Sequence, residues 1–366
     1  MNSKQKWQVG IVGATGMVGQ RLILLLKDHP WFQLSLLAAS GRSAGKTYME
    51  AAGHRWFMDE PIPEAVKDMK LYDGEKDIKA IAGQVDFVFC AVEMDKKALQ
   101  VLEEAYAKAE CPVLSNNSAH RWTADVPMII PELNPDHAQV IPQQQQRLGS
   151  VHGFIAVKSN CSLQSYLPAL WPLHEKFGLT KALACTYQAI SGAGKNFHTW
   201  PEMVDNINPL IKGEEEKSEQ EPLKIWGKVT PQGILPAAGP SLTSQCLRVP
   251  VTDGHMAAVF ASFEKKPDID EIKKIWSDFA GLPQQLKLPS APRQFLYYFE
   301  EEDRPQTRLD RDREKGMGVS IGRLRPDSQY DIKFVCLSHN TLRGAAGGNL
   351  LLAELLCQQG YIRQNR

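Results

Sequence analysis

Apolar residues crowd positions 7–12 (WQVGIV) between polar flanks, the pattern of a buried strand. A glycine-punctuated turn follows, and 17–29 then reads as a helix with Val18, Leu22, Leu25 and Leu26 near one face. Positions 32–39 predict a second strand, 85–91 (VDFVFCA) a later buried one, 95–109 a helix and 112–115 a further short strand. Strands alternating with helices in this way favour a parallel, doubly wound sheet. The polar stretch 143–150, with four consecutive glutamines, reads as a surface loop ahead of a strand at 153–158.

The pattern then changes. Longer strand candidates lie at 181–189, 245–251, 256–263, 295–299, 317–323 and 330–338, with a helix near 268–279 and a charged break at 213–221. This suits an α+β domain on a largely antiparallel mixed sheet. The chain ends in a helix over about 345–358 with Leu350, Leu351, Leu355 and Leu356 on its apolar face. No internal repeat is present.

Composition narrows the partners. The 42 basic and 42 acidic residues among 366 cancel, so net charge calls for neither nucleic acid nor an anionic membrane surface. A polar stub at 1–6 leads directly into the first strand, and no apolar run approaches the ~18 residues of a membrane span. Seven cysteines with no CxxC pair fit neither a disulfide framework nor a zinc site, so no metal is expected and a reducing cytoplasm is. The expected ligand is a small molecule.

Candidate chemistry sits in three places. The first is 13–19 (GATGMVG), spaced GxxGxxG between a strand and a helix. Its small residues let backbone approach a pyrophosphate at the helix N-terminus, giving Gly13, Thr15, Gly16, Met17, Val18 and Gly19 as cofactor residues. A tight packing turn is the bland alternative. The second strand ends at Ser40, Arg42 and Ser43, where an NAD site usually carries a carboxylate; cation and hydroxyls there favour the 2′-phosphate of NADP. The bland alternative is a solvated basic loop.

The second place is 159–162 (SNCS), between a strand and a helix that Pro168 and Pro172 are expected to kink or interrupt. Cys161 lies near that helix N-terminus, where the dipole favours a thiolate nucleophile. Cys90, Cys111, Cys185, Cys246, Cys336 and Cys357 read as small core residues. The third place is 248–255 (RVPVTDGH), where Arg248 offers a fork for a carboxylate and His255 an acid/base partner for the thiol and then the oxyanion.

Taken together, GATGMVG, SNCS, Gln188 in YQAISGAG, and RVPVTDGH resemble the aspartate-semialdehyde dehydrogenase family, in its archaeal and fungal branch. Further matching stretches at 40–46, 115–121, 129–137, 213–217 and 338–348 extend the resemblance over nearly the whole chain. It implies a Rossmann-like doubly wound cofactor domain (1–158 plus 343–366) and an α+β catalytic and oligomerisation domain (159–342). It also implies that Cys161 attacks an acyl carbon, Gln188 orients the substrate, Arg248 holds the α-carboxylate and His255 is the acid/base. By the same resemblance Glu214 contacts the substrate amino group, Lys217 and Arg121 receive phosphate, and Asn340 and Gly347 approach the nicotinamide end of NADP. Within Glu214-Glu215-Glu216 the choice of glutamate stays open, as does a merely solvated charge run.

The implied reaction reduces β-aspartyl phosphate to the semialdehyde through a Cys161 thioester, with backbone N–H groups around Cys161 as oxyanion donors. The implied assembly is a homodimer or homotetramer. Leu163 departs from the family, many members of which carry threonine there. Competing readings are an acyl-CoA reductase such as malonyl-CoA reductase, the more distant N-acetyl-glutamyl-phosphate reductase, and a non-catalytic NADP-binding protein.

Overall fold

A computed structural model describes residues 6–364; residues 1–5 of the polar stub and 365–366 lie outside the described residues. The first sheet has six parallel strands in the order β3-β2-β1-β4-β5-β6: β1 (Trp7–Val12), β2 (Phe32–Ala39), β3 (Tyr72–Asp73), β4 (Phe87–Cys90), β5 (Val113–Ser115) and β6 (Ile155–Val157). That is the doubly wound order in which ligands bind beyond the carboxyl ends of the strands. Central strands are buried on both faces, so β4 reads as an unbroken apolar run. Its Phe87 and Phe89 pack with Val9, Ile11 and the terminal helix, while Val88 and Cys90 face the opposite core.

Helix α1 (Met17–Leu26) ends three residues earlier than the pattern suggested, and α2 (Lys96–Lys108) opens on Asp95, whose carboxylate caps two backbone N–H groups. The glutamine stretch is a helix rather than a loop: α3 (Ile141–Leu148) carries Pro142 in its first turn and stops at Gly149 in the left-handed conformation. Its Gln144 is fully buried, and its amide exchanges hydrogen bonds with both backbone groups of Ile155 at the open edge of the sheet (2.6 and 2.9 Å). A tertiary role for one glutamine therefore decided what composition could not.

The second sheet has the order β10-β7-β11-β14-β13-β12. Its strands are β7 (Leu179–Gln188), β10 (Ser241–Arg248), β11 (His255–Phe263), β12 (Leu296–Phe299), β13 (Val319–Pro326) and β14 (Ile332–Ser338), with β8 (Lys228–Thr230) and β9 (Gly233–Leu235) forming a separate hairpin. Three of its five pairings are antiparallel; β10–β7 and β12–β13 are parallel. Helix α4 (Leu163–Phe177) covers one face and runs unbroken through Pro168 and Pro172, against expectation. Each proline costs about 3 kcal/mol, but most side chains of this helix are buried, both prolines among them, and that packing outweighs the loss. Helix α6 (Ile269–Asp278) packs beside it.

The charged break is also a helix, α5 (Glu214–Ile225), because Glu214, Ser218, Glu221 and Ile225 fall on one buried face while Glu216 and Gln220 stay exposed. Cys185 corrects another expectation: it lies on the outer face of β7, half-buried, not in the core. The last helix, α7 (Gly347–Gln358), follows a π-helical turn at Leu342–Ala346 and returns to the first sheet, where Asn349 Nδ2 donates to Leu114 O (3.0 Å). Leu350, Leu352 and Leu356 join the Val9–Phe87 core there.

Candidate active site

The carboxyl ends of both sheets converge. Gln188 ends β7 and Arg248 ends the adjacent parallel β10 in direct register, while antiparallel β11 begins at His255 on the same edge. From the first sheet, β6 delivers the segment Lys158–Cys161 to this edge. The two ends enclose a pocket of about 310 Å³ whose wall includes Cys161, Gln188, Glu214, Lys217, Arg121 and Arg248.

A second groove, about 650 Å³, lies along the turn after β1 and the end of β2, lined by Gly13, Thr15, Gly16, Met17, Val18, Ser40, Arg42 and Ser43. Met17, Val18 and Gly194 belong to both walls, so the groove runs directly into the Cys161 pocket. Its shape suits a dinucleotide. Helix α1 opens with no side-chain cap and no acidic residue in its first turn, leaving N–H donors for a pyrophosphate. At Gly13 (φ +93°) a Cβ would come within 2.4 Å of Ala91 O. Gly19 does not line the groove; a Cβ there would stand 2.5 Å from Gly13 O, so its absence lets α1 close onto the turn. Exposed Arg42 and the flanking serines supply donors and one cation where a 2′-phosphate would sit, joined by Arg55, which sequence reasoning missed.

In the pocket, Cys161 Sγ lies 3.4 Å from His255 Nε2. The other ring nitrogen, Nδ1, accepts the backbone N–H of Ala189 (3.1 Å). That bond assigns the tautomer: Nδ1 carries no hydrogen, so the neutral ring carries it on Nε2, directed at the sulfur. Burial, with Arg248 beside it, holds the imidazole well below its usual pKa. His255 is therefore a neutral N–H donor in this site. Gly192 makes room for it, since a Cβ there would stand 2.8 Å from Arg248 Nη1 and 2.9 Å from His255 Nε2.

The surroundings of Cys161 differ from the expected thiolate-stabilising turn. Ser162 gives both its N–H and its hydroxyl to Asn160 Oδ1 (2.8 and 2.6 Å), and Asn160 N–H goes to Glu221 (2.7 Å). These two neighbouring amides are thus committed and do not serve an oxyanion. Burial pushes the thiol up, Glu214 adds to this, and the charges of Lys158, Arg121 and Arg248 pull it back. In the resting site burial wins.

Glu214 is the buried member of its acidic triplet. It accepts from Lys217 Nζ (2.8 Å), Asn160 Nδ2 (2.9 Å) and Gln188 Nε2 (3.3 Å), and these donors hold its carboxyl below the usual range despite burial. Arg248 anchors one nitrogen on Ala189 O (2.7 Å), and its side chain borders the pocket. Arg121 is more committed than its predicted role suggests: Nη1 pairs with buried Glu221 (2.8 Å) and Nε donates to Lys158 O (2.9 Å). Asn340 lines the pocket near Met17 and ties its walls, accepting from Gly254 N–H (2.8 Å) and donating to Ser191 (2.9 Å).

Gly347 is not brought to this site; it borders a separate cavity, its Cα packed against Met317. Leu163, the departure beside the nucleophile, is fully buried in the core and absent from the pocket wall. Asn116 was missed: it borders the pocket, and both ends of its side-chain amide are buried without a protein partner, poised for a ligand. Its place in the SNNSAHR stretch was the available signal. Glu221 was missed as well, because only the helical period of α5 shows that it shares Glu214's face.

Residues 8–141 match the semialdehyde dehydrogenase NAD binding domain, and residues 170–343 the semialdehyde dehydrogenase dimerisation domain. The chain is 43% identical to the aspartate-semialdehyde dehydrogenase of Methanothermobacter thermautotrophicus, over 95% of this chain and 98% of that one. It is 40% identical to that of Aspergillus fumigatus, over 99% and 100%. The aspartate semialdehyde dehydrogenase of Candida albicans, solved with NADP, superposes with a TM-score of 0.87 at 38% identity, covering 97% of this chain and all of that one. With likeness of sequence and backbone spanning both domains that build the Cys161 pocket, the chain belongs to the aspartate-semialdehyde dehydrogenase family.

Proposed function

We propose that the pocket performs the NADPH-dependent reductive dephosphorylation of β-aspartyl phosphate to aspartate semialdehyde, the step leading toward lysine, threonine and methionine. The observation that carries this is Cys161 Sγ set 3.4 Å from a neutral imidazole N–H where the substrate pocket opens into the dinucleotide groove. The Cys161 sulfur attacks the acyl carbon, the C–O bond to phosphate breaks, and phosphate departs with the proton the thiol gives up, leaving a thioester. His255 Nε2–H then faces the acyl oxygen, on which negative charge develops, and stabilises it as a hydrogen-bond donor. Arg248 forks onto the α-carboxylate, Gln188 and Glu214 orient the amino end, and Lys217 with Asn116 and Arg121 borders the phosphate side. The turn at Gly13–Val18, with Ser40, Arg42 and Ser43, would hold NADPH, which would supply the hydride.

The same reading divides the chain into a cofactor domain, 1–158 plus 343–366, and a catalytic domain, 159–342, working in the cytoplasm. Its seven cysteines are all free, and no helix among the described residues is long and apolar enough to cross a membrane. The chain assembles as a homodimer or homotetramer through the second sheet. In support, α4 covers one face of that sheet, while the other displays Leu183, Cys185, Tyr187, Met256, Ala258 and Phe260 partly exposed and in register.

The test is phosphate-dependent reduction of NADP⁺ by aspartate semialdehyde. Turnover that needs phosphate and falls at least about a thousandfold in Cys161→Ala is expected. Absence of activity, with malonyl-CoA oxidising NADPH instead, would overturn the substrate assignment.

A further inference from the structure

Two arginines on the wall of the cofactor groove, Arg42 and Arg55, are exposed, and neither guanidinium has a hydrogen bond or ion pair to any described residue. Arg42 belongs to the loop after β2. Arg55 arrives by another route: a short helix, Tyr48–Ala52, fixed by a Thr47–Glu50 capping box, and one further turn, Gly53–Arg55. Gln20 on α1 sets where that turn ends. Gln20 is completely buried, and its amide is fully used: Nε2 donates to Thr15 O (3.1 Å) and Arg55 O (3.0 Å), while Oε1 accepts the Phe57 N–H (2.8 Å). One side chain thus fastens the backbone on both sides of Trp56 to the glycine turn.

A second buried tie runs alongside. Tyr48 OH donates to Ala14 O (3.0 Å), and its ring packs edge-on against Trp56. Burial pushes this phenol up and the charge of Arg55 pulls it back, so the guanidinium lies within reach of the turn. The turn in its own right leans on β2, since the N–H groups of Gly13 and Ala14 both donate to Ala38 O (2.9 and 3.1 Å). The glycine turn, the end of β2 and the segment 47–57 therefore form one hydrogen-bonded block, with Arg55 on the groove wall that carries Ser40, Arg42 and Ser43. A pyrophosphate already has the uncapped N–H groups of α1. A ribose 2′-phosphate carries close to two negative charges at pH 7, and the loop after β2 places one cation on the wall. Glu75 and Glu93 also line the groove, so the second arginine is not part of a generally positive surface.

We propose that Arg55 is a specificity-determining residue that joins Arg42 on the 2′-phosphate of NADP, and that Gln20 is the positioning residue that holds it there by tying its backbone to the pyrophosphate turn. This rests on the reading of the groove as the NADP site. Both guanidinium groups stay hydrated when the 2′-phosphate is missing, so the discrimination against NAD comes from attraction to the phosphate and not from repulsion of a bare ribose. Removing Arg55 therefore weakens NADP without improving NAD. Removing Gln20 leaves the charge in the molecule but frees the backbone that aims it.

The test is calorimetric titration of the full-length protein with NADP⁺ and with NAD⁺, which differ only in the 2′-phosphate; it reads binding and needs no acyl substrate. Arg55→Leu is expected to weaken NADP⁺ by about tenfold to a hundredfold and to change NAD⁺ by less than about twofold, with Arg55→Lys recovering part of the loss. Gln20→Met is expected to lower the preference for NADP⁺ over NAD⁺ by about threefold or more, and to leave that preference unchanged when Arg55 is already leucine, because its effect runs through the same guanidinium. If Gln20→Met does not fold, Gln20→Glu takes its place with the same expectation, since it keeps the shape and the bond from Phe57 but cannot donate to Arg55 O. An unchanged preference in Arg55→Leu would overturn the proposal, and equal weakening of both cofactors would do so by placing Arg55 on the pyrophosphate. A Gln20 effect that persists in the Arg55→Leu background would overturn the positioning role. A wild type that binds the two cofactors alike, with Arg42→Leu also silent, would instead sink the reading of the groove as selective for NADP, and this proposal with it.

Discussion

Arg248 and Glu214 illustrate how single side chains here are fixed by partners before any ligand arrives. Arg248 is 5% exposed and anchored on Ala189 O, so its guanidinium is oriented rather than free. Replacing it by leucine should raise the KM for aspartate semialdehyde by about a hundredfold, some 3 kcal/mol, with the melting temperature little changed; lysine should rescue poorly because it cannot fork. Glu214 makes a different prediction. Its folded-state pKa is depressed, so its stabilisation is present above the ordinary glutamate range and is lost as pH falls through the folded value. Wild type should exceed Glu214→Gln by about 1–3 kcal/mol at pH 7, and the gap in denaturant midpoint should close below about pH 4.

Elements enter the site mainly through their ends and through what they leave out. The loop after β7 passes so close to the site that Gly192 has no space for a methyl group between Arg248 and His255. Gly192→Ala should therefore reduce kcat by about tenfold to a hundredfold while changing the melting temperature by little, since the strain falls on two pocket side chains rather than on the core. Helix α3 gives the converse case. Gln144 closes the edge of the first sheet through Ile155 and donates to Asp125 O (2.9 Å), far from the pocket. Gln144→Ala should destabilise by about 2–3 kcal/mol in urea unfolding and leave kcat unchanged. The helical pattern of α5 shows how an apparently solvated run becomes structural: its buried polar face grips Asn160, Arg121 and, through Lys224 Nζ, three backbone carbonyls at 2.7–2.9 Å.

At the scale of the molecule, the pocket exists only because two sheets present their strand ends to each other. The terminal helix α7 carries the chain back to the first sheet, and the π-helical turn before it passes the nucleophile. The outer face of the second sheet gives a prediction of assembly. Tyr187, exposed on that face near the end of β7 beside Cys185 and Met256, should on replacement by glutamate lower the mass measured by light scattering to that of a smaller species. A monomeric wild type by the same measurement would remove this interface from the account.

The order of strands and helices, the glycine turn, the absence of a carboxylate after β2, and the identities of Cys161, Arg248 and His255 were legible in the sequence. Each depends on local chemistry: periodicity, turn geometry, or a residue type suited to one task. The tertiary structure alone decided which glutamate of 214–216 turns inward, that Arg121 is spent on Glu221, and that Gly347 packs against Met317 away from the cofactor groove. It also decided that two prolines and four glutamines are helical, that Cys185 faces outward, and that His255 carries its hydrogen on Nε2. These depend on partners tens to hundreds of residues away, as the Arg343–Glu132 pair and the Ala189–His255 bond illustrate. Burial and hydrogen-bond occupancy are properties of the assembled neighbourhood, and no local window of sequence contains them.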